Sequence, residues 1–117
     1  GIYFSAWPEE YLPLINSEQI NVASVESLNN KITYFVQYIS DSDINTVEEE
    51  MITHYRNIGI EFILDTESEN ILYRAKATRK TKIDSEFILD IVFGLKAQED
   101  RTKVEIGIEQ QEKADEE

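Results

Sequence analysis

The sequence predicts an α+β domain: an antiparallel sheet of about five to six strands, with one long helix packed across one face. Three observations lead there. From Lys31 onward, most apolar residues alternate with polar ones, the period of a half-buried strand. One stretch breaks that period. Within residues 40–62, Val47, Met51, Tyr55 and Ile58 recur at the spacing of a single helical stripe, with Ile52 on its flank. The segments between patterned runs are short and polar, which suits hairpins rather than long crossovers.

Three regions are expected. Residues 1–18 form an aromatic arm, residues 19–110 the domain, and residues 111–117 an acidic tail without an apolar side chain beyond Ala114. The arm holds Tyr3, Phe4, Trp7 and Tyr11, with prolines at 8 and 13 that oppose a long helix. Its aromatics either clamp it onto the domain or contact a partner or membrane surface, since aromatic rings favour such boundaries.

The run "EQINVASVES" alternates weakly and predicts a first strand. Asn29-Asn30 reads as a turn. "KITYFVQYI" is a stronger strand, with Ile32, Tyr34, Val36 and Tyr38 on one face and Thr33, Phe35, Gln37 and Ile39 on the other. The helix follows. Ser42 or Asp43 caps its start, or Thr46 with Glu49 forms a capping box. Gly59 ends it.

Period two then returns. "GIEFILD" places Ile60, Phe62 and Leu64 together, and "TESEN" is a polar turn. "ILYRAKAT" puts Ile71, Tyr73, Ala75 and Ala77 opposite Leu72, Arg74, Lys76 and Thr78. "RKTKID" reads as a loop. "SEFILDIVFGLKA" is the longest strand, with Phe87, Leu89, Ile91, Phe93 and Leu95 on one face. After the turn "QEDR", the run "TKVEIGIEQ" points Val104, Ile106 and Ile108 inward.

Composition narrows the function. The net charge is −13, which opposes nucleic-acid binding, because phosphate contacts are made by cations. It equally opposes a general attraction to anionic lipid. The absence of Cys excludes disulfides, thiolate nucleophiles and thiolate metal sites. The single His and four glycines leave no nucleophile elbow and no phosphate-cradling loop. Asp41-x-Asp43-x-Asn45 begins like a calcium loop. Position 6 is Thr46 where Gly is needed, and position 12 is Ile52 where Glu is needed, so helix capping explains these residues better. Glu50 and His54 are spaced as metal ligands on a helix, yet two ligands do not make a zinc site. His54 is expected to pack its ring at the edge of the apolar stripe. Asp90 falls on the outer phase of its strand, toward solvent. No cofactor, no metal and no enzymatic activity are expected.

One local feature departs from the acidic background. Arg74, Lys76, Arg79, Lys80 and Lys82 supply five of the eleven basic residues within nine positions. They read either as solvated cations on an edge strand, which also discourage aggregation, or as a docking patch for an acidic partner, an anionic head group or a cell-wall polymer.

The order of elements resembles small extracytoplasmic domains of bacterial lipoproteins and membrane-tethered envelope proteins. It is broadly similar to the repeated domains of the accessory lipoprotein of the outer-membrane barrel-assembly machinery. The matching residues are Val47, Tyr55, Gly59, Phe62, Val104 and Ile106, and the likeness covers about residues 30–110. These are packing positions, and they carry no catalytic residue across. The lipid-anchoring Cys of such proteins has no counterpart here. The chain opens Gly1-Ile2-Tyr3 without Met, so a preceding signal peptide, tether or membrane helix is expected.

The resemblance implies a non-enzymatic binding or scaffold domain of the bacterial envelope, contacting an unidentified protein partner through an exposed sheet face, the basic strip or the arm. Two alternatives stand beside it. One is a carrier of a small apolar ligand lined by Phe35, Tyr38, Phe87 and Phe93. The other is an intracellular adaptor.

Overall fold

The computed structural model describes residues 12–15, 19–67, 70–80 and 86–112. Six strands and one helix follow in the order β1 (Gln19–Leu28), β2 (Lys31–Ser40), α1 (Ile44–Asn57), β3 (Ile63–Glu67), β4 (Ile71–Lys80), β5 (Glu86–Gln98) and β6 (Arg101–Glu112). All pairings are antiparallel, in one sheet of order β1-β2-β6-β5-β4-β3. The expected α+β architecture is therefore present. The helix has 14 residues, about four turns, and is shorter than the "long" helix expected.

Each turn has a chemical cause. Asn29 and Asn30 both take positive φ (52° and 63°) between the paired residues Leu28 and Lys31, which is the backbone of a type I′ hairpin. Asp43 caps α1, its carboxylate accepting from Thr46 N at 2.9 Å. The end of α1 is a Schellman turn. Gly59 adopts φ 87°, its N–H donates to Arg56 O, and the Ile60 N–H donates back to Tyr55 O at 2.9 Å.

That turn explains two departures from expectation. Ile58 is 41% exposed, because the chain has already left the helical stripe at the cap. Ile60 is buried, yet it belongs to the cap rather than to a strand. The strand begins only at Ile63 and continues through Thr66 and Glu67, where a turn was expected. A bulge between Leu64 and Thr66 lets it do so. Likewise, β4 continues through Arg79 and Lys80, and β6 runs on to Gln111 and Glu112, into the segments expected as loop and tail.

The core lies between α1 and the sheet. Val47, Met51 and Tyr55 are fully buried from the helix side. Val36, Tyr38, Leu89, Ile91, Phe93, Leu95, Val104, Ile106 and Ile108 meet them from the shared inner face of β2, β5 and β6. Phe62 packs edge-on to Phe93 at 4.7 Å between centroids, and Tyr73 stacks on Phe93 at 5.0 Å. A strap from the N-terminal side completes the core. Leu12 is fully buried, and the Tyr55 and Tyr38 hydroxyls donate to Pro13 O at 2.7 Å and Ile15 O at 2.8 Å. Burial, then the neighbouring Tyr38, push the Tyr55 phenol well above its ordinary pKa, so it remains a neutral donor.

Candidate functional site

Only one face of the sheet is covered by α1. On the opposite face, alternation sets out Phe35 and Ile39 from β2, Leu72 from β4, and Ile88 and Val92 from β5, all half-buried. Register brings the centre of this face together. Phe35 pairs with Gly107, Gly107 pairs with Val92, and Leu72 pairs with Gly94.

The two glycines leave a depression. A Cβ at Gly94 would come within 3.0 Å of Leu72 Cδ2, and one at Gly107 within 3.4 Å of Val92 Cγ1. The neighbouring side chains thus lean over bare backbone, as they do where glycine interrupts a strand. An open hollow of about 320 Å³ remains above Gly94, with Phe35, Leu72 and Val92 as its apolar surface. Lys96, Lys103, Glu105 and Asn70 supply its polar rim.

Charge frames the apolar centre in matched pairs. Lys31 meets Glu109 at 3.2 Å, Arg74 meets Asp65 at 3.1 Å, and Lys76 meets Asp90 at 3.6 Å. Such exposed pairs are worth about 0–1 kcal/mol each and serve mainly to hold side chains in place. The end near the β5–β6 turn differs. Lys96 stands directly opposite Lys103. Lys103 is satisfied by Glu105 at 3.3 Å, whereas Lys96 has no ion pair among the described residues.

Of the basic strip expected at 74–82, the described side chains Arg74, Lys76 and Arg79 are divided between the two faces of β4. Arg74 and Lys76 lie on the outer face and are paired with carboxylates. Arg79 lies on the helix side, in phase with Ala77, where its guanidinium donates to Ile58 O at 3.5 Å beside the C-terminus of α1. The Lys80 backbone pairs with Glu86. Lys82 lies outside the described residues, as do Tyr3, Phe4, Trp7 and Tyr11 of the arm.

His54 is exposed, with its ring edge-on to Tyr55 at 6.2 Å. Among the described residues, no three His, Asp or Glu side chains gather as a metal site, and no helix is long and apolar enough to cross a membrane. Of the residues expected to line a carrier's cavity, Tyr38, Phe87 and Phe93 are packed core, while Phe35 points to the opposite face.

Sequence reasoning passed over Gly94, Gly107, Lys96 and Lys103. A signal for them existed: both glycines fall mid-strand in the outward phase, where the alternation leads one to expect a side chain and its absence is informative. No family model, curated protein or solved structure matches this chain.

Proposed function

We propose that this chain is a non-enzymatic binding or scaffold domain that works through protein contacts on the face of its sheet opposite α1. The carrying observation is the composition of that face: an apolar centre of Phe35, Leu72 and Val92 around two glycines, bordered by ion pairs. Interfaces share this plan of an apolar centre within a polar rim. The placement in a bacterial envelope rests on the resemblance of the element order, and a protein partner fits a flat, half-apolar face better than a small molecule does. The carrier alternative draws little support, because its expected lining is divided between the packed core and the opposite face.

A photo-reactive residue at Val92, on the outer face, tests this against one at Thr53, exposed on α1. Adducts in living cells from the Val92 position, absent from Thr53, support the reading. Adducts from Thr53 alone, or from neither, remove it. Fractionation of the native protein, with intact-mass analysis of its N-terminus, tests the envelope placement separately. A processed or lipidated form in the membrane fraction is the expected outcome.

A further inference from the structure

We infer that the hollow above Gly94 receives an acidic-apolar peptide segment of a partner protein: an apolar side chain seats on Leu72, Val92 and Phe35, and its neighbouring carboxylate enters between Lys96 and Lys103. This rests on the reading of the outer face as a contact surface and gives that surface a chemistry.

The glycines come first. Glycine in a strand interior weakens the strand and marks a place where something approaches the backbone closely. Here two glycines on adjacent central strands open the same hollow. Its volume of about 320 Å³ is at the bottom of the range for small-molecule sites. It suits one large side chain as an anchor, with the rest of the contact spread over the flat face.

Charge supplies the second part. Like charges placed directly opposite across a strand pair repel, and Lys96 with Lys103 is such a pair. Lys103 has a side chain only 24% exposed, its stem lying along the face. Among the described residues, Glu105 is the one carboxylate lining the hollow, and it is taken up by Lys103. The described lining thus carries one net positive charge, at Lys96, on a chain whose total is −13. Arg74 and Lys76 do not compete for an anion, since Asp65 and Asp90 hold them. An incoming carboxylate pairs with Lys96 and offsets its repulsion from Lys103, which Glu105 already holds. Such charge-assisted contacts are the strong class of hydrogen bond.

The test is an NMR titration of the full chain with an acetylated, amidated hexapeptide carrying a central Phe-Asp. Matched peptides carry Phe-Asn and Gly-Asp. Amide shifts are expected at Gly94, Gly107, Leu72 and Lys96 with Phe-Asp. Binding of each control peptide is expected to be weaker by about tenfold. Lys96→Gln changes an exposed residue and should reduce Phe-Asp binding to the level of Phe-Asn. Lys31→Gln, at the far end of the same face, should leave it unchanged.

Equal binding of Phe-Asp and Phe-Asn, with shifts on the outer face, overturns the carboxylate pairing while the face remains a contact surface. Shifts confined to α1, or none at millimolar peptide, overturn the inference. Cross-linking from Val92 decides the underlying reading independently of either result.

Discussion

Replacing Leu12 by Ala asks whether the N-terminal strap belongs to the fold. Leu12 has no exposed surface, so the substitution removes three buried carbons and leaves a void beneath the strap. Leu→Ala changes in cores cost about 2–5 kcal/mol, depending on how far the site collapses. The strap is held by backbone carbonyls on Tyr55 and Tyr38, which limits collapse. We expect about 3 kcal/mol. For a domain of this size that corresponds to a fall in Tm of about 12 °C. Urea unfolding followed by circular dichroism gives the value, with an unchanged m-value required for the comparison to hold.

Tyr55→Phe supplies the cross-check. It removes the part-buried 2.7 Å hydrogen bond to Pro13 O, at a cost of about 1 kcal/mol. Because both residues act on one strap, the double variant should lose less than the sum of the two. A Leu12→Ala loss below about 1 kcal/mol, with additive behaviour in the double variant, would refute the seating of the strap.

Other expectations follow from single residues. Arg79→Ser should cost about 0.5 kcal/mol, the scale of a cation at a helix C-terminus, whereas Lys76→Ser should change thermal stability by less; equal effects would remove the contact with Ile58 O. Glu99 holds φ 58° at the β5–β6 turn, so Glu99→Gly should raise stability by up to about 1 kcal/mol, read as a higher urea midpoint. Stability should also depend on pH at both extremes. The Thr46 N–H holds the Asp43 carboxyl below its ordinary pKa. The native state therefore favours its ionised form, and that contribution, present above the ordinary carboxylate pKa, fades as pH falls through the lowered value. The Tyr55 phenol is raised, so its contribution is intact below pH 10 and is lost as pH rises toward the folded value. Asp43→Asn should flatten the acid limb, and Tyr55→Phe the alkaline one, in thermal melts across pH.

Period was legible in this chain, and pairing was not. The stripe through Val47, Met51 and Tyr55, and the inner phases of β4, β5 and β6, follow from local alternation because each strand has one buried face. Three of the basic residues part for the same reason: period two sends Arg74 and Lys76 to one face and Arg79 to the other, which nearness in sequence conceals. The outer hollow required register. Counting back from the turn at Glu99-Asp100 does place Lys96 opposite Lys103. Bringing Phe35 and Leu72 alongside, however, needs the strand order, which no local pattern states. The strap was obscured by its aromatic neighbours. Trp7 and Tyr11 stand out in the sequence, whereas the buried residue among the described ones of the arm is Leu12, whose place depends on tyrosines far along the chain.

The strand order also sets a timetable for synthesis. The two strands at the middle of the sheet, β5 and β6, leave the ribosome after all the others. Until they arrive, the β1–β2 hairpin and the β3–β4 hairpin have no strand between them to join, and α1 has no floor to rest on. The nascent chain must carry its apolar face uncovered until about Glu112 emerges, and contacts of such long sequence separation form slowly. Assembly therefore waits until all six strands of this segment have been made, and a pause or break near the β5–β6 turn would leave two separated hairpins rather than a smaller version of the domain.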